Sequence, residues 1–161
     1  MKVKTLVVNA IIAALYFVIS LVIQPIGFKA IQFRIPEMFN HLIVFNKKYF
    51  FGIVLGVILA NFFLSPMPNF DLIYGVGQSI IALLITIGVS HFIKNIWGRM
   101  IVNTIVFTFT MFIIAYELQV ALGFPFLYTW LTTAIGEFVV MAIGAPIFYN
   151  LNKRVHFENQ V

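Results

Sequence analysis

The chain predicts an all-α integral membrane protein, a compact bundle of six transmembrane helices with both termini in the cytoplasm. Three observations predict it. Hydrophobic residues make up 62% of the 161 positions and charged residues 9%, far from the roughly even apolar share and quarter-charged share of soluble domains. Long apolar runs are separated by short breaks, and eight of the ten lysines and arginines sit in every second break. Four of the five acids lie instead in or beside the apolar runs. A span of lipid has to be helical, because an open sheet leaves backbone groups unsatisfied there. The length allows about six spans of roughly 20 residues with tight loops, so the whole of 1–161 reads as one transmembrane domain without a separate soluble part.

The first helix is expected over 5–24. Lys2 and Lys4 precede it, but the run is too long for a signal-peptide core and no small-residue cleavage site follows. Pro25 and Gly27 break it. The second element, 35–46, is about a dozen residues, short for a full crossing and equally suited to a re-entrant helix. Lys47 and Lys48 separate it from a third helix over 49–64, and the stretch Ser65–Phe70, with two prolines, leads to a fourth over 71–93. Lys94 to Arg99 precedes a fifth over 100–118; Gly123 and Pro125 precede a sixth over 128–150, closed by Lys153 and Arg154. The positive-inside bias puts Lys2, Lys4 and the breaks after helices 2, 4 and 6 in the cytoplasm. A five-span chain with an external N-terminus would also keep eight cations inside, but it must translocate Lys2 and Lys4, so six spans are preferred. Gly52, Gly56 and Ala60 recur every fourth residue on helix 3 and predict close internal packing. Ala10 and Ala14 form a similar stripe on helix 1, suited either to the interior or to another protein's helix.

Composition excludes several functions. With no cysteine there are no disulfides, thiolate metal sites or cysteine nucleophiles. The net charge of +5 is dispersed in pairs, which suits anchoring at a membrane surface and not nucleic-acid binding. No Walker motif, nucleophile elbow or metal-spaced cluster occurs, and Gly75-Val76-Gly77 is too common a pattern to signify phosphate binding. The chain therefore cannot hydrolyse ATP by itself, and neither a cofactor nor a metal is expected.

The acids carry the functional content. An ionised carboxylate at mid-membrane costs about 2.5–3.5 kcal/mol on insertion scales, so Glu137, some ten residues into helix 6, needs a role: ligand binding, or a buried pair with Arg34. Glu37 opens the second element, with Asn40 and His41 on the same face; a surface pair with Arg34 is the alternative. Asp71 could cap helix 4, and Glu117 could sit in water at the outer end of helix 5. Asn61 and Gln78 offer amides that both donate and accept. Phe33, Tyr74 and Trp130, with Phe126 and Tyr128, are the aromatics near this outer end. A cavity lined by carboxylates, amides and aromatic faces suits a flat, nitrogen-rich and possibly cationic small molecule. His91 and His156 fall towards the opposite, interfacial side.

In order along the chain, Pro25-Ile-Gly-Phe-Lys-Ala-Ile-Gln-Phe-Arg-Ile-Pro-Glu37, Gly52-x-x-x-Gly56 leading to Ala60-Asn61, Asp71-Leu-Ile-Tyr-Gly75, Glu117 before Leu122-Gly-Phe-Pro125, and Gly136-Glu137 resemble the QueT family. That family comprises substrate-binding S components of energy-coupling factor (ECF) transporters, assigned to queuosine precursors. The resemblance covers nearly the whole chain; Pro36 departs from the small polar residue expected before the glutamate. It implies a six-helix bundle that binds substrate near the outer surface. It also implies assembly with a transmembrane coupling protein, which Ala10 and Ala14 would contact, and with two cytoplasmic ATPases that alone use ATP.

A 7-deazaguanine presents adjacent ring and exocyclic N–H donors that one carboxylate accepts as a pair, while its carbonyl needs a donor. Glu137 or Glu37 fits the first role, and Asn61, Gln32 or Arg34 the second. The ring would stack on Phe33, Tyr74 or Trp130. A 7-aminomethyl ammonium (preQ1) would want a second acid, and the surplus of acids favours that form over the neutral nitrile (preQ0). An S component for another flat heterocycle, a small membrane-embedded enzyme using Glu37, His41 and Glu137, and a purely structural subunit are the rival readings.

Overall fold

The computed structural model describes residues 2–27 and 33–161 and is helical, with no strand among the described residues. Helix α1 spans Val3–Gly27; a 3-10 helix, Ile35–His41, runs directly into the single turn α2, Leu42–Phe45; then follow α3 (Phe50–Leu64), α4 (Pro68–Ser90), α5 (Ile96–Leu122) and α6 (Phe126–Val155). Five of these, all but α2, belong to segments long and apolar enough to cross a membrane. Their ends carry local stop signals. Pro68 stands in the first turn of α4, where its missing N–H costs no hydrogen bond. The Asn95 side chain accepts from Trp97 N at 3.0 Å and starts α5; Gly123, at φ 72°, ends it in the left-handed conformation. These caps carry α5 beyond the expected 100–118.

Helices α1 and α3 run parallel. Asn9 lies against Gly52, with Gly52 N donating to Asn9 Oδ1 at 2.7 Å; Tyr16 lies against Gly56; and Gln24 Nε2 donates to Leu64 O at 3.0 Å. The small-residue stripe on α3 is therefore the α1 contact. A Cβ at Gly56 would stand 2.7 Å from Tyr16 Cβ, and one at Gly52 2.7 Å from the Asn9 backbone oxygen. Ala10 and Ala14, by contrast, are exposed on the outer face of α1.

Because α1 and α3 start at the same end, the chain between them must cross the bundle. It does so with seven residues of 3-10 helix and four of α-helix, a rise of about 20 Å. The second element thus crosses the bundle but is no lipid-facing span. It packs against α1, α5 and α6, and its last turn against α4 and α5. Irregular backbone is tolerated at membrane depth when protein surrounds it, and here the partners are identifiable. Asn103 Nδ2 donates to Asn40 O at 3.1 Å and Arg99 Nη1 to Val44 O at 3.4 Å. His41 Nε2 lies 2.8 Å from Met141 O; a carbonyl only accepts, so the proton sits on Nε2 and Nδ1 is left facing Asn103 Nδ2 at 3.4 Å. Gly144 lets α6 approach, since a Cβ there would meet Met38 Cβ at 2.6 Å.

Both termini occupy one end. Lys4 Nζ donates to Asn159 O at 2.8 Å, Asn46 Nδ2 to Glu158 O at 3.1 Å and Tyr49 Oη to Phe157 O at 3.0 Å. A chain with five crossings would separate its termini, so that alternative fails. The breaks with Lys47, Lys48, Lys153 and Arg154 share this end, which the positive-inside bias assigns to the cytoplasm. Single cysteines introduced at positions 29, 47 and 68 test the orientation: an impermeant thiol reagent applied outside intact cells is expected to label 29 and 68 but not 47. The reverse pattern would invert the bundle.

Candidate substrate-binding site

At the end opposite the charged breaks, acids from four elements converge. Glu37 precedes α2, Asp71 lies in the first turn of α4, Glu117 near the end of α5 and Glu137 in the first half of α6. All four are buried, at 3%, 4%, 1% and 1% exposure; each is therefore out of the water that ordinarily stabilises a carboxylate, and none is a solvated surface charge. The fifth acid, Glu158, is at the other end.

Among the described residues Arg34 is the cation beside them, with Nη2 3.9 Å from Asp71 Oδ1. Burial disfavours its charge, and Asp71, Glu37 and Glu117 around it offset that cost. Glu137 faces both Glu37 and Arg34. Among the described residues four carboxyls and one guanidinium thus share a site of low dielectric.

The acids differ in what holds them. Both Glu37 oxygens are occupied: Tyr16 Oη donates to Oε1 at 2.8 Å and Asn40 Nδ2 to Oε2. Asp71 accepts from Ser65 Oγ, whose oxygen also accepts from Met67 N at 2.8 Å. Met67 occupies the N-cap of α4 and makes no side-chain cap bond, so Asp71, in the first turn, is not the capping residue itself. Asn61 Nδ2 donates to Asp71 O at 3.2 Å, braced by Gly75, where a Cβ would stand 2.8 Å from that nitrogen. Among the described residues no N–H or hydroxyl donates to Glu117 or Glu137, and Glu117 lies against the Asp71 carboxyl. Beside Glu37 a narrow cleft of about 30 Å³, room for about one water molecule, is lined by Tyr16, Ser20, Gln24, Arg34, Glu37 and Asn61, among others.

A family model described as QueT transporter matches residues 6–153. The chain belongs to the QueT transporter family. The Queuosine precursor transporter QueT of Lactococcus lactis subsp. cremoris (strain MG1363) is 36% identical over 165 residues, covering 96% of this chain and 95% of that protein. No solved structure matches.

In this QueT-family bundle Glu37, Glu117, Glu137, Asp71, Arg34 and Asn61 come together at one end. Other candidates fall elsewhere. Gln78 is buried further along α4 and donates to Thr110 Oγ1 at 2.9 Å. Tyr74 stacks on Phe70, centroids 6.5 Å apart, and meets Tyr116 edge-on at 6.0 Å. Trp130 donates to Phe109 O at 3.2 Å and packs among Phe109, Phe112 and Phe126, lining an apolar groove between α5 and α6. Phe33 is half-buried at the start of the crossing segment, and Gln32 lies outside the described residues. His91 and His156 are exposed, as expected.

Sequence reasoning missed Tyr16, Ser20, Gln24 and Ser65. The first three form a polar stripe at four-residue spacing on an otherwise apolar α1, a pattern that could have marked a site-facing stripe. Ser65 has no such signature, being one hydroxyl in a turn.

Proposed function

We propose that the chain is the substrate-binding S component of an ECF transporter, taking up a queuosine precursor of the 7-deazaguanine class at the end of the bundle opposite its charged breaks. The observation that carries this reading is the convergence of four buried carboxylates on one arginine in a transporter-family fold. A deazaguanine edge supplies paired N–H donors to a carboxylate and a carbonyl to Arg34 or Asn61; Glu137, with both oxygens unpartnered, is the acceptor of the N–H pair. The name of the Lactococcus lactis relative points to the same ligand class. Energy would come from partner subunits, a transmembrane coupling protein and two ATPases. Ala10 and Ala14 support that assembly, since they are exposed on the lipid-side face of α1, open to another helix.

Affinity purification from membranes of cells producing the native partners tests the whole reading. Mass spectrometry of the eluate is expected to find a 7-deazaguanine together with the coupling protein and ATPases. A different heterocycle in the eluate would reassign the substrate, and turnover of a ligand by the isolated chain would favour an enzyme.

A further inference from the structure

At the end that carries both termini, the residues around the end of α2 and those joining α4 to α5 line a cavity of about 310 Å³, within the range of ligand pockets. Its polar lining is Asn46, Lys47, Ser90, His91 and Arg99, and among the described residues no acid lines it. Asn46 is already engaged, since Oδ1 accepts from Lys48 N at 3.1 Å and Nδ2 donates to Glu158 O at 3.1 Å. Arg99 is held by two carbonyls, with Nε donating to Ile93 O at 2.6 Å and Nη1 to Val44 O at 3.4 Å. Those bonds use two of the five N–H donors of a guanidinium and fix the direction of the others. The carbonyls of Gly88 and Val89, at the end of α4, accept from His91 N and Phe92 N. Among the described residues nothing pairs with Lys47 Nζ or with the Ser90 hydroxyl, which is out of water. A buried hydroxyl is ordinarily satisfied. The cavity therefore has donors and positive charge left over, and its nearby acceptors are filled.

Its depth and its walls narrow the anion. Phe92, 88% exposed, and Trp97, 38% exposed, flank it along the chain, and aromatics at the end of a span sit at headgroup level. Ile43 and Ile87 supply apolar wall beside the cations. We propose that this cavity is a seat for a phosphate ester and that its occupant is an anionic phospholipid of the surrounding leaflet. Lys47 and Arg99 pair with the phosphate, Ser90 Oγ donates to it, and the acyl stem continues along the apolar wall. Basic pockets between helices at a cytoplasmic membrane face recognise headgroups in this way, and a preorganised arginine fork matches phosphate oxygens. Because Val44 and Phe45 also line the cavity, the bound lipid ties the crossing segment to α4 and α5.

The test is a native mass-spectrometry titration of the purified full chain in detergent with dioleoyl phosphatidylglycerol, dioleoyl phosphatidylcholine and glycerol phosphate. Wild type is expected to bind the anionic lipid at least about fivefold more tightly than either of the others. K47Q and S90A are each expected to weaken it about fivefold, the scale of one cation near a membrane surface or one hydrogen bond. K153Q removes the same charge from the same end but outside the cavity, and should stay within about twofold of wild type. Lipid-free melting temperatures check the fold, which both cavity variants should keep, since neither side chain has an internal bond to lose. Equal binding of the two lipids, equal weakening by K47Q and K153Q, or wild-type binding in S90A overturns the proposal in favour of diffuse surface charge. Glycerol phosphate binding as tightly as the lipid keeps the phosphate seat and overturns the lipid as its source.

Discussion

Replacing Glu137 with Gln is expected to remove deazaguanine binding while leaving the amount of folded protein unchanged. The two effects separate because the carboxylate accepts no hydrogen bond from the described protein residues. Its neutral isostere therefore breaks no internal contact and eliminates a buried acid adjacent to Glu37. Towards the ligand the change is severe: one acceptor oxygen becomes an NH2 that points donor against donor. Truncating one member of a buried hydrogen-bonded charged pair costs about 2–5 kcal/mol, so an affinity loss of about thirtyfold or more is expected. Calorimetry measures the loss and a thermal-shift assay in the same detergent checks the fold. Wild-type affinity in this variant would remove Glu137 from the site.

Gly56→Ala is expected to destabilise the bundle and to disturb the site together. The added methyl would stand 2.7 Å from Tyr16 Cβ and 2.9 Å from its Cγ, atoms near the backbone that cannot swing away. Overpacking of this kind costs about 1–3 kcal/mol, against up to about 1 kcal/mol gained from helix propensity. Moving Tyr16 also moves the phenol that holds Glu37 at 2.8 Å, so ligand affinity should fall as well. Gly77→Ala is the control, because a Cβ there meets nothing within 4 Å; it should be neutral or slightly stabilising. Equal melting temperatures for the two variants would show that α1 and α3 do not touch at Gly56.

The fold was legible where lipid leaves few choices. Apolar runs and basic breaks located the five long helices, and the Gly52–Gly56 stripe marked the face of α3 that packs inside the bundle. Helix 2 was ambiguous for a physical reason: Glu37, Asn40 and His41 make it too polar for a lipid-facing span, and the groups that satisfy it, Asn103, Met141 O and Arg99, lie far away in sequence. The acids stood out because an unpaired charge in a membrane is expensive, and all four outer acids prove to be buried together. Aromatics carry no such discrimination. Trp130 sits at the expected depth but turns to the α5–α6 groove, because an interfacial belt ring and a stacking ring look alike in sequence. Hydroxyl partners such as Ser65 were invisible for the opposite reason, since they cost little anywhere.

The crossing segment has a consequence for biogenesis. Eleven residues containing a glutamate, an asparagine and a histidine cannot partition into a bilayer unaided, since a span needs about 20 apolar residues. Its place depends on Tyr16 from α1, Asn103 from α5 and the Met141 carbonyl from α6, and α6 is the last helix to be synthesised. Threading of the second segment is therefore expected to wait until α6 has been made, so that this topology and the acid cluster beside it form in the same step.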